Sequence, residues 1–198
     1  DTEHLWRNDS SGGTIVFTSV SEEAGISPSI LTLPDPEKWH SDDDWTFTPT
    51  FARINDDLYP DILVTADFDR SQIFINNRDG TFTNWTDTSV LTDSNGMGSA
   101  VGDYDNDGDL DWFVSAIYED ADDVWVGNRF YRNIGGGEFI DTTDAMGVSD
   151  GGWGWGSCFL DFENDGDLDL YLTLLGPNEL WRNEGDGSFT RVPEAAGA

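Results

Sequence analysis

Two nine-residue stretches, DYDNDGDLD at 103–111 and DFENDGDLD at 161–169, constrain this chain more than anything else in it. Each places side-chain carboxylates at positions 1, 3, 5 and 9 of one short loop. Carboxylates about 5 Å apart repel by roughly 3 kcal/mol per pair at an effective dielectric near 20, so the loop must take up protons or a cation. At neutral pH the spacing predicts a cation.

The ligand set narrows the choice of ion. Asp103, Asp105, Asp107 and Asp111 share a frame with Gly108 at position 6, and Asp161, Glu163, Asp165, Asp169 and Gly166 repeat it. Hard oxygen donors in this number suit Ca²⁺ better than Mg²⁺, which keeps its waters, or Zn²⁺, which prefers nitrogen and sulfur. The opening D-x-D-x-D-G also begins an EF-hand loop, but that reading fails at position 12. An EF-hand carries a bidentate Glu there, whereas this chain has Val114 and Leu172. The flanking segments, SAVGDY before and DWFVS or DLYLT after, have the alternating apolar, β-branched and aromatic character of strands. Each motif therefore reads as a calcium-binding turn between two antiparallel strands, and about two ions are expected.

The loops sit inside a longer period. GMGSAVGDYDNDGDLDWFVS from Gly96 returns as GWGSCFLDFENDGDLDLYLT from Gly154, 58 residues on. A third, eroded copy, TFTPTFARINDDLYPDILVT from Thr46, has Arg53, Asn55 and Leu58 in place of the first two ligands and the glycine. Asp57 and Asp61 survive in it, and Arg53 is expected to act as an internal cation where the metal is not. After each loop comes an aromatic strand, a Gly-rich turn and a return strand opened by Phe: IFINNRDGTF at 73, FYRNIGGGEF at 130 and LWRNEGDGSF at 180, with LWRNDSSGGTIVF at 5 as a looser relative. These are hairpins by their turn chemistry. A short tail also recurs, as VSEEAGI, TTDAMGV and VPEAAGA. Repeats at intervals of 50 to 68 residues, each supplying about four short strands, have the size of propeller blades. No stretch sustains the 3.6-residue apolar period of a helical repeat.

With these motifs laid out, the chain resembles the FG-GAP, or VCBS, repeat family of β-propeller proteins, which includes integrin α-subunits and cartilage acidic protein. The resemblance covers nearly the whole chain and rests on the two D-x-[DE]-x-D-G-x-x-D loops paired with RN-x-G-x-G-x-F hairpins. It implies that Ca²⁺ is held by Asp103, Asp105, Asp107, the carbonyl of Asp109, and Asp111. In the second copy it implies Asp161, Glu163, Asp165, the carbonyl of Asp167, and Asp169. The expected fold is all-β, a single propeller region over 1–198. It comprises a half blade at 1–26 and blades at 45–92, 96–149 and 153–198, so three complete blades plus a hairpin. Such a unit is expected to be part of a larger propeller or to assemble with other copies of itself.

Composition bears on function. A formal charge of −31 would suit a disordered acidic chain, but 9 Trp, 12 Phe and 5 Tyr supply a core. Nine Lys and Arg without clustering argue against nucleic acid, and no apolar run approaches the ~20 residues of a membrane span. Cys158 stands alone and reads as a small core residue. The sequence opens DTEHLWRN without a signal peptide, as a mature or excised chain would. Asn8 and Asn84 lie in glycosylation sequons, which two-in-this-length chance also produces.

Calcium loops of this type are structural, which directs function to the segments that interrupt the repeat. Residues 27–45 and 117–127 combine Trp with acids: Trp39, Trp45 and Trp125 could stack on a sugar, and Asp42, Asp43, Asp44, Glu119, Asp120, Asp122 and Asp123 could meet a cationic partner or another metal. Two histidines, one cysteine and no Gly-x-Ser-x-Gly turn argue against catalysis, although propellers also carry lyases and hydrolases. The expectation is a secreted or surface-exposed, calcium-stabilised module for adhesion, matrix or filament assembly. Its partner would be a protein, a glycan or another copy of itself, with a lectin as the alternative.

Overall fold

The computed structural model describes residues 4–26, 45–117 and 127–192. They are almost entirely β. A hairpin of β1 (Trp6–Asn8) and β2 (Phe17–Ser19) precedes three antiparallel four-stranded sheets. The first sheet is β3 (Thr46–Ala52), β4 (Asp61–Ala66), β5 (Gln72–Asn76) and β6 (Phe82–Asn84). The second is β7 (Gly96–Gly102), β8 (Asp111–Ala116), β9 (Arg129–Asn133) and β10 (Phe139–Asp141). The third is β11 (Gly154–Leu160), β12 (Asp169–Leu174), β13 (Glu179–Asn183) and β14 (Phe189–Arg191). In each, strands pair in chain order, the up-and-down pattern of a propeller blade. The architecture is a partial β-propeller of three blades and a hairpin.

The core lies between blades, and the second strand of each explains how. DILVTA in β4 and DWFVSA in β8 are buried along their whole length, because successive side chains serve opposite faces. Ile62 and Val64 turn back toward Ile26 and Phe74, packed also by Leu5 of the hairpin region. Leu63 turns forward to meet Trp112, Val114, Tyr131 and Phe139 of the second blade. Phe113 and Phe130 repeat this one blade later, against Leu170, Leu172, Trp181 and Phe189 of the third. A strand buried on both faces needs a near-continuous apolar run, which is why these segments lack polar alternation.

The first strands β3, β7 and β11 lie side by side and are stitched by hydroxyls. Thr48 donates to the Met97 carbonyl at 2.7 Å, Thr50 to the Ser99 hydroxyl at 2.8 Å, and Ser115 to the Trp155 carbonyl at 2.6 Å. Gly98 is required for that contact, since a Cβ there would overlap the Trp155 carbonyl.

One expectation is corrected here. Cys158 is exposed rather than in the core. It lies on the side of β11 that corresponds to Ala100 of β7, and Ala100 is covered by the third blade whereas no described residue covers Cys158. In the recurring tail TTDAMGV, Thr143–Met146 forms a single helical turn, α1, closed by Gly147 in the left-handed conformation. Met146 and the following Val148 insert into the core between the second and third blades.

Candidate metal centre

The three loops between first and second strands share one end of the sheets with the turns of the outer hairpins. The described residues next to 27–44 and 118–126, Trp45 and Ile117, lie at the other end, beside Asp67 and Asn95. The same local chemistry builds both acidic loops. Asp103 accepts from the backbone N–H groups of Asp107 and Gly108, both at 3.0 Å, and Asp107 accepts from Asp109 at 3.0 Å. Asp161 accepts from Asp165 at 3.2 Å and Gly166 at 3.1 Å, and Asp165 from Asp167 at 3.1 Å. Gly108 and Gly166 have φ of 97° and 98°, open to glycine and strained for other residues. Asn106 and Asn164 occupy the left-handed region just before, which Asn tolerates.

Position 9 is a strut common to all three loops. Asp111 accepts from Tyr104 N–H at 3.2 Å and Asn133 N–H at 2.9 Å. Asp169 does the same with Phe162 and Asn183, and Asp61 with Ile54 and Asn76. The eroded loop thus keeps the carboxylate that ties it to its own third strand. Burial pushes the Asp111 carboxyl up to about 7 despite those two bonds, with Asp105 and Asp107 adding to the rise. A carboxylate so placed favours a nearby cation.

In the first acidic loop Asp103, Asp105 and Asp111 each present an oxygen within 4.8 Å of the others. Asp105 Oδ1 is buried and has no hydrogen-bond partner among the described residues. An orphaned carboxylate oxygen facing two more carboxylates fits a hard cation. Burial also raises the Asp105 carboxyl, opposed by Arg132, whereas the backbone N–H of Asp109 and then Arg132 hold Asp107 low. Asp107 is not in the tight trio: its free oxygen takes the Arg132 guanidinium at 3.0 Å. In the second loop no three of Asp161, Glu163, Asp165 and Asp169 bring ligand oxygens within 4.8 Å of one another, and all but Asp169 are exposed. Asp109 and Asp167 enter both loops through their backbone N–H groups.

In the eroded loop the cation on Asp57 is Arg78, at 2.9 Å, and not Arg53, which is exposed. Arg78 follows Asn76 in the outer hairpin and reaches back across the end of the blade, a long-range approach that the spacing of the loop does not encode. Leu58 at position 6 has no positive φ, so this loop does not adopt the turn of its two relatives.

The Asn that ends the third strand in the RN motif has a structural role that no sequence-based expectation assigned it. Asn133 Nδ2 donates to the Ile54 carbonyl at 2.7 Å, in the loop of the preceding blade, and Asn183 Nδ2 to the Tyr104 carbonyl at 2.9 Å. The recurrence of RN at 132 and 182 was the available signal. Of the aromatic candidates, Trp45 is partly buried and meets Phe68 edge-on with ring centroids 5.6 Å apart. Trp39, Trp125, Asp42, Asp43, Asp44, Glu119, Asp120, Asp122 and Asp123 lie outside the described residues.

A partial propeller whose blades are joined at acidic loops defines the class of this protein. Residues 53–114 match the family model of the FG-GAP-like repeat. That stretch, from the eroded loop into β8, therefore carries a repeat of the FG-GAP-like type. Among solved structures it resembles an Agrocybe aegerita lectin, described for specific recognition of non-reducing terminal N-acetylglucosamine. That likeness has 19% identity and a TM-score of 0.50, covers 74% of this chain and spans 38% of the lectin chain. No curated protein matches the sequence.

Proposed function

We propose that this chain is a calcium-stabilised propeller module, secreted or displayed at the cell surface, that serves adhesion, matrix or filament assembly. The observation that carries the calcium reading is the buried, unpartnered Oδ1 of Asp105 beside Asp103 and Asp111. Asp103, Asp105, Asp107 and Asp111, with the Asp109 carbonyl, would hold one ion, and Asp161, Glu163, Asp165, Asp169 and the Asp167 carbonyl a second. The ion neutralises repulsion that the fold itself concentrates. Millimolar extracellular calcium fills sites of moderate affinity without regulation, which favours that compartment. Among the described residues no helix is long and apolar enough to cross a membrane.

The assembly reading is supported by the far side of the third blade. Gly156, Cys158 and Leu160 are exposed on β11, while their counterparts on β7, Gly98, Ala100 and Gly102, are covered by the next blade. That side suits a further blade, from another copy or from a longer chain. Calcium titration by calorimetry, with thermal melts in calcium and in chelator, tests the proposal on the wild type and an Asp103→Ala, Asp161→Ala double variant. About two equivalents are expected, with a calcium-dependent rise in Tm that the double variant loses; no binding would sink the reading.

A lectin is the second reading. A groove of about 470 Å³ between the first two blades is lined by Trp85, Ile134 and Phe139 with the carboxylates of Asp87 and Glu138. Trp85 is 54% exposed. An aromatic face beside acids suits the apolar face and hydroxyls of a sugar ring. Glycan-array binding that Trp85→Ala abolishes would favour it over assembly.

A further inference from the structure

The two acidic loops differ in what the arginine of the RN motif does. Arg132 and Arg182 occupy the same place on β9 and β13, each just before the Asn that crosses to the preceding blade. Arg132 turns onto its own loop, with the guanidinium 2.7 Å from Asp105 Oδ2 and 3.0 Å from Asp107 Oδ2. Among the described residues its Nε is buried without a hydrogen-bond partner, and its ion pairs are with these two carboxylates. Arg182 instead pairs with Glu184, through Nη2 at 2.6 Å and 2.8 Å and Nε at 3.1 Å. The position of Glu184 is filled in the second blade by Ile134, which offers no charge.

We propose that Arg132 is a built-in competitor of the bound cation in the 103–111 loop, and that residue 134 or 184 decides whether a blade's arginine turns onto its loop. The inference rests on the calcium reading above. Asp105 and Asp107 supply positions 3 and 5 of the ligand frame, and a guanidinium on their oxygens both blocks them and repels a dication a few ångströms away. The same contact neutralises the loop when calcium is scarce, so the 103–111 loop keeps its shape without the ion. Among the described residues no guanidinium pairs directly with the 161–169 loop: Glu184 holds Arg182, whose charge acts on Glu163 and Asp169 only at longer range, and Glu163 and Asp165 keep their oxygens for the metal. The first loop therefore gains less from calcium than its ligands alone would give, and the second depends on calcium more fully.

The test isolates each loop by disabling the other. In an Asp161→Asn background, Arg132→Gln and Ile134→Glu are compared with the parent by calcium calorimetry and by melts in chelator and in calcium. Both substitutions are expected to tighten calcium at 103–111 by about tenfold or more, Ile134→Glu by drawing Arg132 away as Glu184 draws Arg182. Arg132→Gln is also expected to lower the Tm in chelator while leaving the Tm in saturating calcium unchanged or higher. In an Asp103→Asn background, Glu184→Ala is expected to weaken calcium at 161–169, and adding Arg182→Gln to restore it. Weaker calcium binding in Arg132→Gln would make the arginine a supporting group and overturn the proposal, as would unchanged affinity in Arg132→Gln and Ile134→Glu. Absence of calcium binding in both parent backgrounds would instead refute the calcium reading itself.

Discussion

Asn183, on the third strand of the last blade, donates through Nδ2 to the main-chain carbonyl of Tyr104 in the acidic loop of the blade before it, 79 positions earlier. The same amide reaches the Leu168 carbonyl at 3.2 Å, and its Oδ1 accepts from Gly185 N–H at 3.0 Å. One buried side chain thus joins its own hairpin turn, its own loop and its neighbour's loop. Buried amides so completely satisfied are costly to truncate, because each backbone partner is left without a bond. Asn183→Ala is expected to lose about 2–4 kcal/mol of stability, and Asn133→Ala a similar amount, in urea unfolding. A loss under about 0.5 kcal/mol in both would remove the inter-blade role.

Close approach of blades makes Gly98 and Gly156 unequal although they hold the same place in the repeat. A Cβ on Gly98 collides with the Trp155 carbonyl and with Ser115 Oγ, whereas one on Gly156 meets only Thr173 Oγ1 at 3.2 Å. Gly98→Ala is expected to cost about 3 kcal/mol or lose soluble protein, and Gly156→Ala under about 1 kcal/mol. Equal costs, read by denaturant melts, would mean that something packs on the third blade as tightly as the third packs on the second.

Asp93 gives a pH dependence that is independent of the metal loops. Its carboxylate is buried, taking hydrogen bonds from Tyr131 at 2.7 Å and from the Ser71 hydroxyl, and burial pushes the carboxyl up to about 6. An unfolded Asp titrates near 3.9, so between about pH 4 and 6 the native state holds the proton that the unfolded chain has released. This group's contribution to stability therefore grows as pH falls from 7 toward 4, by on the order of 3 kcal/mol. Asp93→Asn removes the titration. The difference in urea midpoint between variant and wild type is expected to shift between pH 5 and pH 7 in calcium-free buffer, and a constant difference would refute the assignment.

The eroded loop can be rebuilt. It retains Asp57 and Asp61 but carries Leu58 where the turn needs a residue comfortable near φ 97°. Arg53→Asp, Asn55→Asp and Leu58→Gly together restore the full frame, with Asp57 and Asp61 in place. One additional calcium equivalent is expected by calorimetry, and at free calcium 100 times the dissociation constant about 2.7 kcal/mol of added stability. Arg78, which holds Asp57 at 2.9 Å, is expected to limit the affinity, so Arg78→Gln should tighten it further.

Much of the fold was legible because β-structure writes its period into the chain. DWFVS and DLYLT announce strands, though not their burial on both faces, the Gly-rich turns after Asn announce hairpins, and the twice-repeated carboxylate frame with Gly at position 6 announces the loop. These are local constraints: which residues can adopt a positive φ, and which alternate into a core, depends on near neighbours in sequence. What lies far apart was decided only in three dimensions. That Asn183 bonds Tyr104 and that Cys158 is exposed depend on how one blade meets the next, whereas the reach of Arg78 rather than Arg53 to Asp57 and the turn of Arg132, but not Arg182, onto its loop depend on side chains brought together across one blade. The repeat makes the positions equivalent in sequence, but the contact at each is set by a neighbouring blade or by one differing side chain, and a local pattern carries no record of either.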